Sequence, residues 1–158
     1  MPLPIGPILG ILSDNLRKRG SVLPLSREAS TGWAKGLNIP RGGETVIYTG
    51  HMYQLVPGIA AMAKQMAAFE ESPLTRYFGL GRVVNKLINI SFFMSLTASR
   101  DVKRANHDVL RRIAQLLQRA GVGFGYLYEK ELYSGALVYD QGMDGVFEAH
   151  ARRVAAMF

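Results

Sequence analysis

The chain has 158 residues, a formal net charge of +7, 48% hydrophobic residues and no cysteine. That length and composition suit one ordinary globular domain with a core of its own, and exclude a disordered or fibrous chain. The missing cysteine excludes disulfides, thiolate zinc sites and thiolate-bound iron–sulfur clusters within the chain, whereas the positive charge admits nucleic acid, an acidic protein or anionic lipid without choosing among them.

Pro2, Pro4 and Pro7 keep the extreme N-terminus out of a helix, although Pro7 suits a first helical position. Ile8, Ile11, Leu12 and Leu16 then share one face, and Gly20 is placed to end that helix. Ser26 is an N-cap for a short second helix through Trp33 to Leu37. Asn38-Ile39-Pro40-Arg41-Gly42-Gly43 is a turn-rich linker. Residues 1–43 are therefore expected to form a helical arm laid over an α/β domain at 44–158.

The β-branched and aromatic run Thr45, Val46, Ile47, Tyr48, Thr49 predicts a strand that stops at Gly50. A helix is expected over 56–70, with Pro57 in its first turn and Ile59, Met62, Ala63, Met66 and Phe69 on one stripe. Ser72-Pro73 opens another helix, with a bend expected at Gly79 and Gly81. The apolar run 87–98 carries Asn89, Ser91 and Ser95 and is too short to span a bilayer, so it reads as a buried helix. The N-terminus lacks the basic start and cleavage site of a signal peptide, and a cytoplasmic protein is the expectation.

Ser99 or Asp101 caps the most regular helix. Its expected inner face is Val102, Ala105, Val109, Leu110, Ile113, Leu116, Leu117 and Ala120, with Lys103, Arg104, Arg111, Arg112 and Arg119 opposite. Residues 123–128 predict the second strand, 129–134 the loop at its carboxyl edge, and 135–141 a short helical turn. Asp144 caps a last helix with Val146, Phe147, His150, Val154 and Met157 inward. The fold class is thus α/β, helix-rich, with a small parallel sheet flanked by helices and an N-terminal helical arm. Two strands alone leave bare edges, so a third strand is expected to come from elsewhere. The apolar final turn suggests a fragment, one half of a two-part protein, or a chain that assembles with copies of itself.

Open α/β sheets keep their chemistry at the carboxyl edge of the strands. There the sequence places Thr49-Gly50-His51-Met52-Tyr53 and Glu131-Leu132-Tyr133-Ser134-Gly135-Ala136. The candidate cleft is therefore Gly50, His51, Tyr53, Tyr133, Ser134 and Gly135. No second ligand stands at metal spacing from His51, and no acid is placed by the sequence to orient it for a Ser–His pair with Ser134. His150 reads as a core histidine, and His107 as a solvated one on a polar face.

These two loops resemble those of the cysteine-rich CCG-domain proteins, the family of heterodisulfide reductase and of the glycolate oxidase iron–sulfur protein. Those relatives read T-G-C-M-Y at the first loop and C-C-G at the second. They also carry segments like Gly36-Leu37-Asn38-Ile39-Pro40 and Tyr139-Asp140-Gln141-Gly142-Met143. His51 stands where the family has its first cysteine, and Tyr133 and Ser134 stand where it has the pair; only Gly135 is kept. The resemblance implies electron transfer to or from a disulfide or organic acid within a complex. It also implies a chain without cluster ligands, whose iron–sulfur cluster sits only in a partner protein or a further C-terminal half. The leading expectation is a non-cluster-binding structural or docking half of such an oxidoreductase, possessing no catalysis of its own. The rivals are a small self-assembling protein that binds an anion or metal in the same cleft, and a basic nucleic-acid binder using the arginine-rich helix.

Overall fold

The computed structural model describes residues 5–70 and 99–158. Pro2 and Pro4, the helix expected after Ser72-Pro73 with its bend at Gly79 and Gly81, and the apolar run 87–98 lie outside them, as do the side chains of Ile8, Met62, Met66 and Phe69. Helix α1 (Ile5–Arg19) ends at Gly20, whose φ of +71° is the left-handed stop that glycine permits. Helix α2 (Arg27–Thr31) is capped by Ser26, whose hydroxyl accepts the Ala29 N–H, and it tightens into a single 3-10 turn over Gly32–Ala34. Strand β1 (Val46–Ile47) leads into α3 (Met52–Glu70), which starts at the loop itself rather than four residues later. Helix α4 (Arg100–Arg119), strand β2 (Gly125–Tyr126), a 3-10 turn at Tyr128–Lys130, α5 (Ala136–Asp140) and α6 (Asp144–Ala155) complete the order. The result is a helix-rich α/β fold around a two-stranded parallel sheet, with Val46 opposite Gly125 and Ile47 opposite Tyr126.

Among the described residues the expected third strand is absent, and the segment read as a linker does its work. Gly125 N–H donates to Thr45 O on the β1 side, whereas Tyr126 N–H donates to Pro40 O on the other. Gly42 N–H in turn donates to Tyr126 O, and Arg41 bridges Tyr126 in parallel. Residues 40–42 therefore satisfy the outer edge of β2 without forming a regular strand.

Two apolar clusters flank this sheet. One gathers Leu12, Leu16, Val22, Leu23, Leu55, Tyr133 and Val138; the other gathers Trp33, Ala34, Leu37, Ile39, Leu110, Ala114 and Tyr126. Residues from 1–43 supply over half of each cluster's members, so this segment is built into the core. Helix α4 meets the second cluster along only part of the expected face, with Leu110 buried there as expected and Ala114 added to it. Val102, Val109, Ile113 and Leu116 stay exposed. The reason lies in residues 29–37, where the short α2 gives way to a 3-10 turn and then a loop, leaving carbonyls that need donors. Arg111 donates to Trp33 O and Lys35 O, Gln118 to Leu37 O, and His107 Nε2 to Ala29 O at 3.1 Å. His107 is thus half-buried and bonded rather than solvated, and Arg111 leaves the basic stripe for a structural post.

Gly135 is the N-cap of α5 with φ of +89°, and a Cβ there would stand 3.1 Å from the Phe147 ring and 3.3 Å from His150. Both the dihedral and the contact reject a side chain. Gly135→Ala should lower stability by about 1–3 kcal/mol, read from the midpoint of urea denaturation at unchanged slope.

Candidate functional site

The two carboxyl-edge loops meet. Ser134 N–H donates to Gly50 O at 3.1 Å, and a Cβ on Gly50 would lie 2.9 Å from the Ser134 Cβ, so only glycine allows this approach. Tyr48 adds a second tie, its hydroxyl donating to Leu132 O at 3.2 Å, and burial pushes that phenol up to about 12.

What joins the loops most strongly is Glu131, a residue that the sequence marks only as part of a loop. It is 3% exposed, and its carboxylate accepts four hydrogen bonds. Thr49 N–H and Gly50 N–H donate to Oε1, and Thr49 Oγ1 and Tyr126 OH donate to Oε2. Burial pushes the Glu131 carboxyl up, and these donors pull it back towards the ionised form. All four groups give protons, so the geometry is that of a carboxylate. Around it the network continues: Trp33 Nε1 donates to Tyr126 OH, and Gln54 Nε2 donates to Thr49 Oγ1 and to Ser30 O.

This arrangement sets His51. Its φ is +56°, directly after Gly50 at +55°, an unusual pair of left-handed residues before a helix. Its N–H donates to Thr49 Oγ1, and its carbonyl accepts Leu55 N–H in the first turn of α3. The side chain is 6% exposed, and burial lowers the imidazole to about 4, so the ring is neutral at neutral pH. Nε2 stands 3.7 Å from Glu131 Oε2, too far for a hydrogen bond, and neither ring nitrogen has a partner. A buried polar atom without a partner costs about 1–3 kcal/mol, and the left-handed backbone adds to that cost.

The ring borders a cavity of about 380 Å³ together with Arg19, Ser21, Arg27, Glu129 and Glu131. Ser21 Oγ is buried and likewise without a partner. Glu129 is engaged by Arg27 at 2.7 Å and Arg41 at 2.8 Å, which hold its carboxyl down at about 2. Arg19 donates to Asn15 Oδ1. The cavity wall therefore combines guanidinium groups, a neutral imidazole and a hydroxyl with two carboxylates that already have donors.

Of the residues expected in the cleft, Gly50, His51, Ser134 and Gly135 come together as the joined loops. Tyr133 faces the other way: its ring is 2% exposed in the first apolar cluster, and its hydroxyl accepts Leu137 N–H to cap α5. Ser134 Oγ lies 3.5 Å from Met52 Sδ and makes no hydrogen bond with His51. Tyr53 lines a separate pocket between α3 and α4. His150 is buried and donates through Nε2 to Tyr133 O, and burial lowers it. Ser21, Gln54, Arg19 and Arg27 carry no motif around them; Glu131 alone had a signal, an acid at a strand's carboxyl edge followed by apolar residues. No group of three or more metal-ligating side chains occurs among the described residues, and no helix among them is long and apolar enough to cross a membrane.

Comparison of the chain with family models, with curated proteins and with solved structures finds no match.

Proposed function

We propose that this chain is a binding module that holds a small anion, a carboxylate or an inorganic oxyanion, at the carboxyl edge of its sheet. One observation carries the reading: two buried polar groups without partners, the His51 ring and Ser21 Oγ, border the same cavity as Arg19 and Arg27. A planar guanidinium pairs with carboxylate and phosphate oxygens through paired N–H donors. A neutral imidazole N–H and a serine hydroxyl supply the remaining directional bonds. The competing carboxylates are spoken for, Glu129 by two arginines and Glu131 by its four donors. His51 and Glu131 alone make a poor metal set, which places an anion ahead of a cation.

Titration calorimetry with acetate, glycolate and phosphate tests this. At least one anion should bind, and Arg19→Gln combined with Arg27→Gln should weaken it by roughly tenfold or more. Heat that is the same for wild type and the double variant overturns the reading.

A second reading has its own support. Met52, Tyr53 and Val56, on the first turns of α3 beside the joined loops, are 46%, 38% and 45% exposed. Such an apolar rim suits docking against another protein surface, and the resemblance to CCG-domain oxidoreductases suggests a cluster-bearing half or separate protein as that partner. On this reading the chain is the non-cluster-binding half of the complex. Co-sedimentation with a cluster-bearing partner, lost in Met52→Glu with Val56→Glu, would support it, and a stable iron–sulfur cluster reconstituted in the isolated chain would sink it.

A further inference from the structure

A second cavity, about 330 Å³, lies between α2, α3 and α4, with Gln54 in its wall. Its walls are mainly apolar, with Leu23, Leu25, Leu55 and Pro57 among them, and a size near 300 Å³ is the lower end for sites that enclose a small organic ligand. Arg100, Lys103 and Arg104 stand along one side, against the single carboxylate of Glu28. Among the described residues none of these three cations has an ion pair, and they sit in the first turns of a long helix, where the backbone dipole also favours an anion.

Gln54 supplies the independent observation. It is 4% exposed, and Nε2 is fixed by Ser30 O, which can only accept. The amide orientation follows from that bond, and it leaves Oε1 buried without a donor. Apolar walls, a cationic edge and one buried acceptor describe a ligand with three parts. We infer that this cavity binds a medium-chain carboxylate with a hydroxyl near its far end: the chain against the leucines, the carboxylate at Lys103 and Arg104, and the hydroxyl donating to Gln54 Oε1. The site is separate from the anion cavity proposed above, although Pro24 and Leu25 line both.

Titration calorimetry of the full chain with ω-hydroxydecanoate, decanoate and decanol separates the three parts. The hydroxy acid should bind about fivefold more tightly than decanoate, the expected gain from satisfying one buried acceptor. Lys103→Glu with Arg104→Glu, both on the helix surface, should weaken both acids by about tenfold and leave decanol unchanged. Ala29→Phe, which fills the cavity, should abolish binding of all three. Arg19→Gln with Arg27→Gln should change none of these affinities, so failure here and failure of the anion site read differently. Equal affinity for decanol and decanoate, acids indifferent to the charge reversal, or no heat from any of the three overturns the inference. Gln54→Leu should bring the two acids to equal affinity; should that variant unfold, the wild-type preference for the hydroxy acid decides the point alone.

Discussion

Glu131→Ala should cost this protein on the order of 3–5 kcal/mol, a large share of the stability of an ordinary domain. The substitution removes the acceptor of two backbone N–H groups, Thr49 and Gly50, where Glu131 and Gly50 are buried and Thr49 is half-buried. Each orphaned donor costs about 1–3 kcal/mol, and the space left by the side chain adds a cavity cost. The two hydroxyls suffer less. Tyr126 OH can turn to Ser30 O, which lies 3.3 Å away, and Thr49 Oγ1 still accepts from His51 and Gln54. Glu131→Gln keeps one acceptor oxygen for the backbone pair but turns an amide N–H₂ towards two hydroxyl donors. It should lose roughly half as much. Urea denaturation of the three proteins gives both differences, and equal midpoints for wild type and Glu131→Ala would mean that the carboxylate does not hold the loops together. The alanine variant should also lose the left-handed turn at His51, so binding of any anion to the neighbouring cavity should fall with it.

The sequence carried the regular elements well because their signals are local. Gly20 ends α1 through its left-handed dihedral and Ser26 caps α2 through its hydroxyl, each within one turn, whereas α1 starts two residues ahead of Pro7 and α6 starts at Asp144 with no side-chain cap. It also brought the two carboxyl-edge loops to one place, since a strand ending in glycine before a helix fixes where the chain turns. What it could not carry was the identity of side chains that work at long range. Glu131 meets Thr49 across 82 residues, Trp33 meets Tyr126 across 93, and no periodicity encodes such partners. Helix α4 shows the same limit from the apolar side. Its expected face held Val109, Leu110 and Leu116, yet of these only Leu110 is buried, and the helix turns Ala114 and Arg111 inward beside it to reach the carbonyls of the turn and loop at Trp33 and Lys35. The needs of that loop outweighed the stripe. Tyr133 misled for a related reason: read beside Ser134 it was a rim residue, but alternation along an extended segment sends neighbours to opposite sides, and the larger, more apolar one goes to the core.

His51 should make the protein acid-sensitive by about 3 kcal/mol between neutral pH and pH 4. In the unfolded chain a histidine titrates near its ordinary value of about 6.5, whereas burial holds His51 at about 4 in the fold. Between those values the unfolded state binds the proton and the folded state does not. Stability is therefore intact above the unfolded value and falls as pH drops towards the folded one. Glu131 works in the opposite sense, because its carboxyl is raised by burial and so gains from protonation as pH falls. Buried His150 shares the sign of His51, and exposed Glu129, held low by its arginines, loses its pairing only in stronger acid. Comparison with His51→Asn isolates the one group, since asparagine tolerates the left-handed backbone at this position. The variant's denaturation midpoint should drop less than that of wild type on acidification, and parallel curves would show that the ring is not held neutral. A saturating anion offers a sharper contrast. Held against the ring beside Arg19 and Arg27, it favours the imidazolium and raises the folded-state value towards that of the unfolded chain, so ligand should blunt the acid sensitivity of wild type and leave that of His51→Asn unchanged.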